Sequence, residues 1–170
     1  MKRTLTALAG LAVMAGTASA IPADSDDLKI NLKGTVDSVC ELTPDGPLDY
    51  DVNMLDYGNQ GLLAIAYSCN SPYTVTIASK NGGMEHQESS GAVNIPYDIE
   101  TYGFFVSATF DSAAIAGTPG VLDTDNDWTN ILLNGDGRIG NMDMRWQGLS
   151  NFAVAGTYKD TLTIKIKADL

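Results

Sequence analysis

The feature that most restricts the fold of this chain is a period of two. Near the C-terminus Tyr158, Leu162, Ile164 and Ile166 share one parity, while Lys159, Thr161, Thr163, Lys165 and Lys167 hold the other. Side chains two apart lie on one face of a strand, so this run reads as a strand with one buried and one solvated face. Asp160 is the one exception on the apolar side. The same alternation recurs upstream. Leu28, Ile30, Leu32 and Val36, with Cys40 and Leu42 in phase, predict a first strand whose inner face ends near the cysteine, and Leu63, Ile65, Tyr67 and Cys69 predict a second. Asn70-Ser71-Pro72 then turns the chain into Tyr73, Val75 and Ile77, alternating with Thr74 and Thr76 until Asn81-Gly82-Gly83 turns it again. Ile95, Tyr97 and Ile99 alternate next, with Pro96 marking an edge strand, and Phe104 to Phe110 is a further β-rich run.

From Asp111 to Gly140 the pattern loosens, with Gly117-Thr118-Pro119-Gly120, an acidic stretch from Asp123 to Asp127, and Asn134-Gly135-Asp136-Gly137. Long loops and short strands are expected there. Trp128 and Trp146 are expected to cover the core or sit at its edge. No long segment beyond the N-terminal leader has helical periodicity, and no repeat or linker divides the chain. The expectation is one all-β domain, a sandwich of about seven strands.

The N-terminus reads differently. Met1-Lys2-Arg3 is basic, Leu5 to Gly16 is uncharged and mostly apolar, and Thr17-Ala18-Ser19-Ala20 supplies small residues at alternate positions. That order defines a secretory signal peptide over 1–20, cleaved after Ala20, which leaves residues 21–170 as the exported domain. The apolar run is shorter than the roughly 20 residues needed to span a hydrocarbon core, so no membrane span is expected after cleavage. Loss of Lys2 and Arg3 moves the net charge from −11 to −13. A surface this acidic favours solubility and argues against nucleic acid or anionic membrane as a partner. Both cysteines, Cys40 and Cys69, fall in the exported part, where pairing is the default, and closing that loop is worth about 3.5 kcal/mol in the chain-entropy model.

Catalytic chemistry has little to rest on. The single histidine, His86, lies in the polar run Glu85-His86-Gln87-Glu88 after a glycine turn and is expected to be a solvated loop residue. No nucleophile elbow, P-loop or dinucleotide fingerprint is present, so no catalytic residue and no cofactor is assigned and no enzyme is expected. Asp123-Thr124-Asp125-Asn126-Asp127 places acids at alternate positions, as calcium loops do. The calcium-loop pattern then needs glycine sixth and glutamate twelfth, where this chain has Trp128 and Asn134. A solvated loop without metal is the expectation.

Taken in order, these features resemble a family. A signal peptide, a first strand ending in Cys40, the segment Ile65-Ala66-Tyr67-Ser68-Cys69, the strand Tyr73-Thr74-Val75-Thr76-Ile77, the turn Asn81-Gly82-Gly83-Met84 and the closing run from Ala155-Gly156-Thr157-Tyr158-Lys159-Asp160 to Thr161-Leu162-Thr163-Ile164 are together similar to chaperone-usher pilins. The closest likeness is to the archaic type with a spore coat protein U-like domain. The resemblance implies an immunoglobulin-like sandwich that lacks its last strand and a function as a structural subunit of a surface pilus or fimbria, contributing to adhesion. It implies a periplasmic chaperone and an usher as partners during export, other pilus subunits as partners in the fibre, and passage through the periplasm to the cell surface. Leu162, Ile164 and Ile166 would line the acceptor edge, since a regular apolar strand at the end of the chain has nothing after it to cover its edge. Leu28, Ile30 and Leu32 are candidate donor residues, whereas Asp24, Asp26 and Asp27 are poor guests in an apolar groove. The competing reading is a self-contained secreted module that binds carbohydrate or calcium through Trp128 and the loops from Asp123 to Asp136.

Overall fold

The computed structural model describes residues 29–55, 58–104, 107–133, 138–148 and 154–169. The chain divides into two compact units, 1–35 and 36–170. In the first, residues 29–35 form no helix or strand and are exposed, with Ile30 and Leu32 at 72% and 91% accessibility. The leader over 1–20 and Leu28 lie outside the described residues.

The second unit is all-β. Its elements are β1 (Cys40–Asp45), β2 (Gly58–Cys69), β3 (Tyr73–Ser79), β4 (Met84–His86), a 3-10 turn (Gln87–Ser89), β5 (Asn94–Ile95), β6 (Asp98–Tyr102), β7 (Ala108–Asp111), β8 (Gly120–Asp125), α1 (Trp128–Leu133), β9 (Arg138–Trp146), β10 (Tyr158–Lys159) and β11 (Leu162–Ala168). Three antiparallel sheets form, in the orders β1-β2-β9-β6-β7, β11-β3-β8 and β10-β4-β5. The first two face each other as a sandwich. Ile65 and Tyr67 of β2, Met142, Met144 and Trp146 of β9 and Ile99 of β6 meet Tyr73, Val75 and Ile77 of β3 and Leu122 of β8 in one buried cluster. The period of two does this work: β3 alternates buried and half-buried residues along its whole length.

Cys40 and Cys69 are disulfide-bonded and sit directly opposite each other in the β1–β2 register. That register corrects the expectation of a strand over Leu28 to Val36. Cys69 is the last residue of β2, so nothing in β2 remains to pair with residues that precede Cys40. Residues 37–39 are instead tied to the turn after β2, where Val39 N–H donates to Asn70 Oδ1 at 2.7 Å and Asn70 Nδ2 donates to the Asp37 carbonyl at 2.9 Å. Alternation needs a partner before it becomes a strand.

Other expectations are refined in the same way. Ile95 and Ile99 belong to separate strands broken at Pro96, and β5 is an edge strand, as the proline requires. Among the described residues, the β-rich run after Phe104 contributes β7. Among the described residues there is one short α-helix, α1, too short to carry a helical period, and Asp127 starts it by accepting the amides of Thr129 and Asn130 at 2.9 and 3.3 Å. Trp146 is buried and Trp128 is 52% exposed.

The two flanks of the sandwich differ. On one, β7 and β8 are the edge strands, and Gly120 lets the Phe110 ring close over the gap, since a Cβ at that glycine would lie 2.5 Å from the ring. Ile115 is buried beside them. On the other, the edge strands are β1 and β11, and that flank is open.

Candidate functional site

The open flank is a groove of about 840 Å³. Its floor is the sandwich core seen from the side, with Leu63 and Ile65 of β2, Met142 and Met144 of β9, and Tyr97. One wall is β1 with Leu42 and Pro44, continued by residues 48–52. The opposite wall is β11 with Leu162 and Ile164, continued by residues 157–161. Most of the hydrophobic side chains that are packed on the core yet incompletely buried lie here: Leu42, Val52, Leu62, Leu63, Met84, Leu162 and Ile164. β1 pairs only with β2, and β11 only with β3, so each wall presents an unused row of backbone donors and acceptors to the groove among the described residues.

The walls are held by specific contacts. Residues 46–55 are laid along their side by Tyr50, whose hydroxyl donates to the Leu62 carbonyl, and by the Trp146 indole, which donates to the Asn53 carbonyl at 3.2 Å. On the other side Asp160 is a hub. Its Oδ2 accepts the hydroxyls of Ser79 and Tyr97, each at 2.6 Å, and its Oδ1 accepts the amides of Asn81 at 3.0 Å and Thr161 at 2.7 Å. This carboxylate is satisfied by four donors without a cation. Burial first, and then the bond to Asp160, pushes the Tyr97 phenol well above its usual range.

Just before that hub, residues 154–158 are fastened to β4. His86 is buried, not solvated as its polar neighbours suggested, because β10 pairs across it and the Tyr158 ring lies 5.0 Å away. Its Nε2 donates to the Ala155 carbonyl at 3.0 Å, which leaves Nδ1 buried without a partner. Gly156 is required here: a Cβ on it would lie 2.1 Å from His86 Nε2. The Glu88 carboxylate accepts the Thr157 amide at 3.0 Å, and that bond lowers its affinity for a proton.

The acidic stretch from Asp123 to Asp127 was expected as a solvated loop, but Asp123 and Asp125 are buried on β8. Arg138, at the start of β9, reaches both, with Nη1 3.3 Å from Asp123 Oδ2 and Nη2 on Asp125. The Tyr67 hydroxyl also donates to Asp123, and Asn130 Nδ2 donates to Asp125 at 2.8 Å. Burial and the Asp123 charge push the Tyr73 phenol up to about 12. These carboxylates are engaged within the fold, and no group of three or more His, Cys, Asp or Glu among the described residues is arranged to hold a metal.

The structure thus brings Leu162 and Ile164 to the groove, while Ile166, of the same parity, is half-buried on the core beyond its lining. Ile30 and Leu32 are exposed outside any strand, and Leu28 is outside the described residues. Asp160, Gly156 and Met84 stood out in the sequence only as parts of runs, with no site role, and the wall over 48–52 carries no sequence signal. Among the described residues no helix is long and apolar enough to cross a membrane. No family model, curated protein or solved structure matches this chain.

Proposed function

We propose that this chain is a structural subunit of a surface fibre, built by strand complementation and not by chemistry. An extended segment from a neighbouring subunit lies in the groove between β1 and β11, adds its backbone to the free edges, and drops alternate apolar side chains onto Leu42, Leu63, Leu162 and Ile164. The observation that carries this reading is the groove itself: two unpaired edges frame an apolar floor on one flank, while the other flank is sealed by Phe110 over Gly120. Strand addition joins backbone hydrogen bonding with side-chain pockets at every second residue, which is what such a groove offers. The segment of this chain that fits is the alternating run Leu28, Ile30, Leu32 and Val36, so a second copy is a suitable donor. In this reading the chain is a pilin of the chaperone-usher kind, exported, held by a periplasmic chaperone until an usher joins it to the next subunit, and displayed at the cell surface in adhesion.

The test is thermal unfolding of the full chain with and without a peptide copying residues 24–36. A ligand present at about a hundred times its dissociation constant stabilises by about 2.7 kcal/mol. For a domain of this size that raises Tm by roughly 5–10 °C. A peptide with Leu28, Ile30 and Leu32 replaced by serine leaves Tm where it was. A stable monomer whose Tm ignores the intact peptide would overturn the proposal.

A further inference from the structure

The groove is apolar inside but its rims are charged, and the two rims differ. On the β1 side Glu41 and Asp45 are exposed on the strand, and Asp49 and Asp51 are exposed where the wall continues. None of these four forms an ion pair among the described residues, and none has a basic neighbour on its own segment. On the β11 side the outward residues are Thr163, Lys165 and Lys167, with Lys159 at the groove itself. The alternating segment that fits the groove is basic between its apolar residues: Lys29 and Lys33 stand in the phase opposite to Ile30 and Leu32. When Leu28, Ile30 and Leu32 face inward, both lysines face the rim.

Resting on the strand-complementation reading, we propose that the β1-side rim selects the incoming strand by charge, with Glu41, Asp45, Asp49 and Asp51 taking Lys29 and Lys33 of a second copy of this chain. An apolar groove alone accepts any alternating hydrophobic strand, because burial is non-directional. An acidic rim narrows that choice to strands with cations in the solvent phase, and it also draws them in before contact, since complementary fields raise association rates. The same rim repels the Asp24, Asp26 and Asp27 stretch, so a strand slipped far enough to bring those acids alongside Asp49 and Asp51 is disfavoured. The occupant follows from this charge complementarity: apart from Arg138, which pairs with Asp123 and Asp125, and Arg145, which pairs with Glu100, the cations of residues 36–169 are Lys80, Lys159, Lys165 and Lys167. Only Lys29 and Lys33 alternate with residues outside a strand that are free to enter another molecule's groove.

The measurement is binding of a fluorescent peptide copying residues 24–36 to the full chain, beside the same peptide carrying Lys29→Glu and Lys33→Glu. Two exposed ion pairs, each worth up to about 1 kcal/mol, predict roughly tenfold weaker binding of the reversed peptide at low salt. That difference shrinks toward nothing as salt rises from about 0.05 M to about 0.5 M. Full-chain Asp49→Lys/Asp51→Lys, on an exposed wall, restores the reversed peptide and weakens the native one. The salt series on the unaltered chain gives the same answer without a variant. Equal binding of both peptides at low salt overturns charge selection and leaves the groove reading standing. Binding of neither peptide overturns the groove reading, and the selection falls with it.

Discussion

Asp160 offers the sharpest test of how the groove wall is built. Asp160→Ala removes the acceptor for the Ser79 and Tyr97 hydroxyls, each at 2.6 Å, and for the amides of Asn81 and Thr161. The two amides can turn to water, because Asn81 is half-buried and Thr161 is exposed. The hydroxyls of Tyr97 and Ser79 cannot, since those residues are only 4% and 2% accessible. A buried donor left without a partner costs about 1–3 kcal/mol, so the two hydroxyls together predict a loss of about 4 kcal/mol. That is a large share of the 5–15 kcal/mol typical of a domain, and it corresponds to a fall in Tm of roughly 8–16 °C. Asp160→Asn keeps one oxygen for the amides and lets the hydroxyls rotate to accept, so it should cost about half as much. Calorimetry on both variants measures this, and a double-mutant cycle with Tyr97→Phe isolates the shared bond, with an expected coupling of about 1–2 kcal/mol. A loss within about 0.5 kcal/mol for Asp160→Ala, the range of an ordinary surface substitution, would refute the hub.

Three further outcomes are expected. Tyr67, Tyr73 and Tyr97 all have phenols held above their unfolded value near 10, chiefly by burial, so the folded state keeps their protons while the unfolded state releases them. The stability this gives is complete below pH 10 and is lost as pH rises: near pH 12 each unfolded phenol gains about 2.7 kcal/mol, and tyrosinate absorbance followed with circular dichroism should show Tyr67 and Tyr97 ionising only as the fold is lost and Tyr73 only toward about pH 12, whereas smooth ionisation of every tyrosine near pH 10 in a folded chain contradicts it. Reducing the Cys40–Cys69 disulfide, which spans 29 residues, should cost about 3.5 kcal/mol in urea unfolding and free the β1 wall first, seen as faster amide exchange at Leu42 than at Val75. Arg138→Met leaves Asp123 and Asp125 buried without their cation and should cost about 3–5 kcal/mol by chemical denaturation, with a stable Arg138→Met chain counting against the ion-pair cluster.

What could be read from sequence was what depends on neighbours in the chain. The parity of β3 and β11 and the inward direction of both cysteines follow from spacing alone. Pairing is different, because it depends on strands far apart. Residues 28–36 alternate as well as β3 does, yet they precede the point where β2 ends, and no run of residues announces where a partner stops. His86 was misread for a related reason: Glu85, Gln87 and Glu88 mark its surroundings as polar, but its burial comes from residues 154–158, some seventy positions away. Asp123 and Asp125 looked like a solvated loop because the cation that makes them tolerable in the core, Arg138, lies on another strand. Two local signals do mark these features in the sequence. Asp127 followed by Trp128-Thr129-Asn130 is a helix start, and acids two apart share a strand face. Half of the groove was foreseeable from Leu162 and Ile164; the half built by residues 48–52 and Met84 rests on tertiary contacts that leave no periodic trace.

If the groove takes a strand as proposed, the unequal flanks of the sandwich bear on how many such bonds one molecule would make. With Phe110 seated over Gly120, the β7 and β8 side has no comparable groove between its edges, and Asp111 is exposed at that edge. The β1 and β11 side carries the groove and two edges that no strand pairs among the described residues, so in the proposed mode one added strand would take up that flank. In the language of polymers, that proposal gives an acceptor valence of one for this groove. Under the strand-complementation proposal, a body with one such acceptor and one donor tail would grow in a line and in one direction, and would stop where a tail is missing.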